Sequence, residues 1–188
     1  ILKKYDIRLT KTLGQNFLTD INIIRKIVDE GDLEASDFVL EIGPGIGSMT
    51  CEIAKRAGKV AAVEIDRHLI PALKETLNGF SNVQLINEDI MKLDINALTK
   101  DWKGSLKVIS NLPYYITTPI IMLLLESETE WDTLVFMVQK EVAQRLAAEP
   151  GTKDYSSLSV AVKYYSEPKL AFTVSRNCFI PKPDVDSA

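Results

Sequence analysis

Histidine and cysteine are scarce in this chain, whose 188 residues include one histidine and two cysteines. Cys51 and Cys178 lie far apart in the sequence, and His68 is the only imidazole that could accompany them. This set predicts neither a disulfide framework nor a metal site. Because isolated cysteines suit a reducing compartment, we expect a cytoplasmic protein.

Long apolar runs are also missing from the sequence. No apolar stretch approaches the roughly 20 residues of a membrane-spanning helix, and the first residues lack the apolar core of a signal peptide. The chain has no linker long enough to separate two full domains, and 188 residues can bury one good core. We therefore expect a single domain over 1–188 and no membrane partner.

An excess of positive charge is the third absence, since the formal net charge is −4. That value disfavours a nucleic-acid partner, because phosphate binding normally needs a basic surface. The charges are nevertheless unevenly distributed. Four basic residues lie close together near the start of the chain, namely Lys3, Lys4, Arg8 and Lys11. They form either a solvated tail or a basic arm for phosphates.

A glycine-rich turn at 43–47 directly follows the strongest predicted strand, 38–42, and Ser48 then begins a helix. This arrangement is typical of nucleotide-binding folds, although glycines also serve tight turns for steric reasons. The glycines stand at alternate positions and do not match the dinucleotide fingerprint. A nicotinamide-dependent oxidoreductase is therefore disfavoured.

Glu64 follows a second predicted strand, 60–63, and lies 64 − 43 = 21 residues after Gly43. An acid at about this distance binds ribose hydroxyls in nucleotide-binding folds. The alternative is a solvated strand end. The spacing favours a ligand-binding role for Glu64.

Two further polar residues also follow predicted strands. Asp89 comes after 83–86 and can either accept a hydrogen bond from an adenine amine or cap a short helix at 90–98. Asn111 comes after 106–109. In a right-handed doubly wound sheet, the carboxyl ends of successive parallel strands line one cleft. We therefore expect these residues to meet there with Glu64 and the glycine turn.

The stretch 111–114 combines an amide, a free backbone carbonyl and an aromatic ring. The Asn111 side-chain oxygen and a nearby backbone carbonyl can each accept an N–H from an exocyclic amine, which draws the nitrogen lone pair out of ring conjugation. Tyr114 can stack on the base. Since Asn and Pro are also common in plain turns, these four residues alone leave both interpretations open.

The apolar pattern predicts the remaining elements. A first helix lies between an N-cap at Thr19 or Asp20 and Gly31, and Asp66 caps a helix over 67–77. Further helices are predicted over 48–57, 117–125, 140–148 and 156–165, and a fifth strand over 134–138. Residues 169–174 and the end of the chain can supply a closing antiparallel pair, which Pro181 and Pro183 confine to a loop or an edge.

Seven motifs together carry a resemblance to a known family. They are GQNFL (14–18), EIGPGIG (41–47), EID (64–66), EDI (88–90), NLPYYI (111–116), QKEV (139–142) and FIPKPDVDS (179–187). With them the chain resembles, over essentially its whole length, the ribosomal RNA adenine N6-dimethyltransferases of the KsgA type. The resemblance implies an α/β, Rossmann-like S-adenosylmethionine-dependent methyltransferase fold, with helices on both faces of a mostly parallel seven-stranded sheet. It also implies that 1–188 is the catalytic domain, without the family's small helical C-terminal domain.

The resemblance implies dimethylation of two adjacent adenines near the 3′ end of small-subunit (16S) ribosomal RNA, in ribosome biogenesis. The enzyme would act as a monomer on that RNA or on a pre-30S particle. Asn111 and the Leu112 carbonyl would hold the target amine, with Tyr114 and Phe179 sandwiching the base. The residues implied to bind S-adenosylmethionine are Gln15, Asn16, Leu18, Gly43, Gly45, Glu64, Ile65, Asp89, Ile90 and Asn111.

Two rival interpretations remain open. The related erythromycin-resistance methyltransferases modify an adenine of the large subunit, and Leu112, Tyr115 and the motif at 179–187 favour the KsgA type over them. A non-catalytic RNA-binding scaffold would keep the same fold, but no site motif is degraded in this chain.

Overall fold

The computed structural model describes residues 16–188, and its centre is a parallel five-stranded sheet. Residues 16–188 contain seven strands, of which β2 to β6 form this sheet. They are β1 (Phe17–Leu18), β2 (Phe38–Ile42), β3 (Lys59–Val63), β4 (Val83–Ile86), β5 (Leu106–Asn111), β6 (Thr133–Met137) and β7 (Phe179–Ile180). The sheet order is β4-β3-β2-β5-β6, while β1 and β7 form a separate antiparallel pair. The strand order reverses between β2 and β5, which is where open α/β sheets bind ligands.

Helices cover both faces of the sheet. They are α1 (Ile21–Asp29), α2 (Ser48–Ala54), α3 (Ile70–Thr76), α4 (Ile95–Thr99), α5 (Thr117–Leu125), α6 (Lys140–Leu146) and α7 (Ser157–Tyr165). Alternate residues of β2 enter different cores, as the two-residue strand period requires. Phe38 and Leu40 pack in the core that includes Leu124 of α5, whereas Val39 packs with Ile27 of α1 and residues of α2.

The predicted Rossmann-like α/β fold is confirmed, but the seven-stranded sheet is wrong for the residues described. The five parallel strands form the sheet, and the two short antiparallel strands lie apart from it. Residues 169–174 form no strand, and only Val174 makes a bridge, to Ser187. Pro181 and Pro183 lack the N–H donors that an extended ladder requires.

Two predicted helices begin later than expected. A helix from Arg67 would need an N–H on Pro71 to reach back four residues, and proline has none, so α3 begins at Ile70. Asp66 instead accepts a hydrogen bond from the His68 N–H at 3.0 Å in the preceding turn. The helix predicted over 90–98 is replaced by α4, which Asp94 caps.

The basic residues 3–11 and Gln15 lie outside the described part of the chain. Within residues 16–188, no helix is long and apolar enough to cross a membrane.

Candidate active site

A cleft opens at the carboxyl ends of β2, β3, β4 and β5. Its empty volume is about 1070 Å³ with the open mouth included. The structure brings most of the predicted site residues together in its walls. These are Asn16, Leu18, Gly43, Gly45, Glu64, Ile65, Asp89, Ile90, Asn111, Leu112 and Tyr114. Their individual roles remain predictions.

The glycine turn (43–47) packs against β1. Gly43 and Gly45 have φ angles of +70° and +62°, which favour glycine because a side chain strains this conformation. A Cβ atom on Gly45 would also lie 2.8 Å from the ring of Phe17. The short strand β1 was not predicted from the sequence, yet it lies close against the turn and lines the cleft.

Glu64 links the glycine turn to the end of β3. Its carboxylate accepts hydrogen bonds from the N–H groups of Asp66 at 2.8 Å and Gly45 at 3.3 Å. Burial raises the pKa of Glu64 to about 7, although these hydrogen bonds act in the opposite direction. Each carboxylate oxygen retains acceptor capacity, so Glu64 can still receive hydroxyl donors from a ligand in the cleft.

Asn111 ends β5 with a free acceptor. Its Nδ2 lies 3.5 Å from the carbonyl of Asn16, and its Oδ1 is buried without a hydrogen-bond partner. The next residue, Leu112, donates its N–H to the Met137 carbonyl at 3.0 Å. The Leu112 carbonyl accepts no hydrogen bond from residues 16–188. Two consecutive residues at the cleft therefore each have an available hydrogen-bond acceptor, the Asn111 Oδ1 and the Leu112 carbonyl.

The two aromatic residues predicted to sandwich a base occupy different environments. Tyr114 lines the cleft, and its hydroxyl lies 2.7 Å from the Ser187 Oγ, which fixes the position of the ring. Burial raises the pKa of this hydroxyl. Phe179 is only 2% exposed and packs in the apolar core that includes Leu18, apart from the cleft lining. Stacking of Phe179 on a base remains a prediction, and it requires the ring to become accessible.

Glu41 was missed as a site residue by sequence reasoning. It lies within β2, lines the cleft, and has no hydrogen-bond partner at either carboxylate oxygen. Burial raises its pKa to about 8, the neighbouring Thr50 hydroxyl lowers it, and the charge of Glu64 raises it further. The signal was present in the sequence, because Glu41 is the one charged residue in the strand 38–42.

The described lining of the cleft is acidic. It contains four carboxylates and, among residues 16–188, no lysine or arginine. The carboxylates are Glu41, Glu64, Glu88 and Asp89. Such a lining suits a cationic ligand and disfavours the diphosphate of a dinucleotide. Sequence reasoning assigned no role to several other lining residues, which include Pro44, Ile46, Ser48, Met49 and Ile116.

Comparison with known proteins identifies the family of this chain. The profile of the family "Ribosomal RNA adenine dimethylase" matches residues 7–188. Ribosomal RNA small subunit methyltransferase A of Alkaliphilus metalliredigens is 53% identical over 189 residues, which cover 100% of this chain and 66% of that protein. The chain spans about two thirds of the length of the curated relatives that it matches.

Two crystal structures have a similar fold. A dimethyladenosine transferase from Plasmodium falciparum superposes with a TM-score of 0.80 at 32% identity, over 91% of this chain and 60% of that one. The 23S rRNA methyltransferase ErmE superposes with a TM-score of 0.79 at 32% identity, over 92% of this chain and 67% of that one. Because the family profile covers nearly the whole sequence, this chain belongs to the ribosomal RNA adenine dimethylase family.

Proposed function

We propose that this chain is the catalytic domain of an enzyme that dimethylates the N6 amino groups of two adjacent adenines near the 3′ end of small-subunit ribosomal RNA. The observation that carries the proposal is the unpartnered Oδ1 of Asn111 in an acidic cleft. That atom is buried and can only accept, so it calls for an N–H donor from a ligand.

The acceptors at Asn111 and Leu112 would each take one N–H of the adenine amine. These two hydrogen bonds would hold the N–H bonds of the amine out of the ring plane. The nitrogen lone pair would then no longer be conjugated with the ring and could attack an electrophile. S-adenosylmethionine would supply that electrophile as the methyl group of its sulfonium: the N–C bond would form as the S–C bond breaks, S-adenosylhomocysteine would leave, and the extra proton on the amine would pass to solvent. Since the methyl group is already activated, the protein needs to position the amine rather than to provide a general acid or base.

The cofactor would lie along the glycine turn. Glu64 would accept from the ribose hydroxyls, and Asp89 would accept from the adenine amine. The acidic lining supports a cationic cofactor over NAD, whose diphosphate it would repel. An adenine within a helix cannot reach this cleft, so the target base would have to be unstacked and held by an aromatic ring, which Tyr114 would supply.

The name of the relative at 53% identity favours a small-subunit substrate. The two crystal structures do not separate the small-subunit from the large-subunit reaction, because both are 32% identical to this chain. We infer a monomer that acts on small-subunit RNA or on a pre-30S particle in the cytoplasm. Both cysteines are free thiols, which suits that compartment. With a net charge of −4, the chain should bind the cofactor well and RNA weakly.

Calorimetric titration of the chain with S-adenosylmethionine and with NAD tests the cofactor assignment. We expect binding of the first and none of the second. Glu64→Ala should weaken binding by about 1.5–3 kcal/mol, the scale of hydrogen bonds to a charged group. Glu126→Ala, a change at an exposed residue outside the cleft, is the matched control and should bind like the wild type. Tight binding of NAD would exclude the proposal.

A further inference from the structure

Asn87 joins the ends of two neighbouring strands beside the cleft. It directly follows β4, and its side-chain Nδ2 donates to the Glu64 carbonyl at 2.7 Å and lies 3.5 Å from the Ile65 carbonyl. Both carbonyls belong to the segment that follows β3. Because the acceptors are carbonyl oxygens, only the NH2 end of the Asn87 amide can make these contacts. One side chain of the β4 segment therefore holds the backbone of the β3 segment.

These contacts continue the pairing of β3 with β4 beyond the end of the backbone ladder. The last pair of the ladder is Val63 with Ile86, after which the Glu64 N–H donates to the Ile86 carbonyl at 2.9 Å. No backbone N–H of residues 16–188 donates to the carbonyl of Glu64 or of Ile65. Loss of the Asn87 amide would therefore remove the hydrogen bonds that tie these two carbonyls to the β4 segment.

The two segments that Asn87 joins carry side chains that face the cleft. Glu64 and Ile65 line it after β3, and Asp89 lines it after β4. Ile65 is 47% exposed and offers an apolar surface to a flat ring, whereas Glu64 is buried and its carboxylate accepts the N–H of Gly45. Asn87 itself is exposed and is not part of the cleft lining. It can therefore act on a ligand only through the residues that it holds.

We propose that Asn87 is a positioning residue for the nucleoside half of the cofactor. This inference rests on the proposed function, in which Glu64 accepts from the ribose hydroxyls and Asp89 accepts from the adenine amine. The Asn87 amide fixes the backbone of the β3 segment relative to the β4 segment, so the ribose acceptor and the adenine acceptor keep one spacing before the ligand arrives. Binding then requires less ordering of this side of the cleft, and such preorganisation raises affinity.

Calorimetric titration of Asn87→Ala measures the effect on binding. The variant should bind S-adenosylmethionine about fivefold to tenfold more weakly than wild type, the scale of one net hydrogen bond. S-adenosylhomocysteine and methylthioadenosine should lose affinity by the same factor, because both retain the nucleoside. Asn78→Ala is the matched control and should bind like wild type, since Asn78 is exposed, lies outside the cleft lining and makes no side-chain hydrogen bond within residues 16–188.

A double-mutant cycle distinguishes positioning from a general effect on the fold. If Asn87 acts through Glu64, Asn87→Ala should cost less affinity in the Glu64→Ala background than in wild type. Hydrogen–deuterium exchange of the cofactor-free protein gives a second measurement. The amides of residues 64–66 should exchange faster in Asn87→Ala, while those of β2 stay protected. A merely structural role would instead speed exchange throughout the sheet and leave the two costs in the cycle equal.

Other outcomes would overturn the inference. Binding of S-adenosylmethionine by Asn87→Ala as tightly as by Asn78→Ala would refute it and leave the proposed function standing. A loss for S-adenosylmethionine with none for methylthioadenosine would also contradict it, because the nucleoside would then be unaffected. Failure of wild type to bind S-adenosylmethionine would refute the proposed function together with this inference.

A second variant covers the case in which Asn87→Ala does not fold. Asn87→Leu keeps a similar side-chain volume and lacks the NH2 donor. Weaker binding of S-adenosylmethionine by Asn87→Leu supports the proposal, and binding at the wild-type affinity contradicts it.

Discussion

The Ser110 hydroxyl bridges β5 to the backbone of Ile42 at the point where β2 and β5 separate. It accepts from the Ile42 N–H at 3.2 Å and donates to the Ile42 carbonyl at 2.5 Å. The ladder between the two strands ends two residues earlier, at Leu40 and Val108. The Ser110 side chain thus replaces backbone pairing where the strand order reverses. It supplies hydrogen-bond partners to the N–H and carbonyl of Ile42, while the ends of β2 and β5 diverge to form the cleft.

Ser110→Ala should destabilise the protein by about 1–3 kcal/mol, because it leaves the N–H and carbonyl of Ile42 buried without a partner. Urea unfolding of the cofactor-free protein measures the change. Ser81→Ala removes an exposed hydroxyl with no hydrogen bond in the described part of the chain, and should alter stability by less than about 0.5 kcal/mol. Equal stability of the two variants would show that the Ser110 bridge is not needed.

Gly45→Ala should weaken cofactor binding and lower stability by about 1 kcal/mol or more, because its φ is +62° and the new Cβ would collide with Phe17 at 2.8 Å. Gly79→Ala is the matched control, since nothing lies within 4 Å of its Cβ position. Thermal unfolding and cofactor titration of both variants measure the difference. Wild-type behaviour of Gly45→Ala would mean that the turn and β1 are not tightly packed.

Much of this site could be predicted from the sequence because its signals are local. One such signal is a β-branched strand that runs directly into glycines, and another is an acid or amide just after a strand. Both patterns locate residues at the carboxyl edge of the sheet without any knowledge of tertiary contacts. Glu64, Asp89 and Asn111 were found in this way, and all three line the cleft.

Other features left no local signal. The β1–β7 pair joins Leu18 to Phe179, which are separated by most of the chain, and each strand has only two residues. The burial of Phe179 could not be predicted, because it follows from that pairing. Glu41 was overlooked since its apolar neighbours indicated a core strand, and only the three-dimensional structure shows that both its oxygens are unpartnered.

Tyr114→Ala should impair methyl transfer more than Tyr114→Phe, because stacking on a base needs the ring. The phenylalanine variant loses only the contact between the hydroxyl and Ser187. Methylation rates of both variants, measured with saturating cofactor on the same RNA, test this order. Equal losses would show that the hydroxyl rather than the ring is required.

Phe179→Leu separates packing from stacking. The ring is buried in the core, so Phe179→Ala would cost about 3–5 kcal/mol through cavity formation alone and would be uninformative. Leucine keeps most of the apolar volume. If the ring stacks on the base, the leucine variant should unfold at a temperature near that of wild type and bind cofactor normally, yet methylate RNA more slowly. An unchanged rate would remove Phe179 from the site.

The most direct measurement is nucleoside mass spectrometry of RNA treated with the chain and S-adenosylmethionine, with small-subunit and large-subunit RNA compared at high enzyme concentration. We expect N6,N6-dimethyladenosine at two adjacent positions near the 3′ end of small-subunit RNA. Asn111→Ala should slow its formation by on the order of 10²-fold, as expected for a preorganised polar group at a reacting centre. Dimethyladenosine in large-subunit RNA alone, or formation at the wild-type rate by Asn111→Ala, would contradict the account.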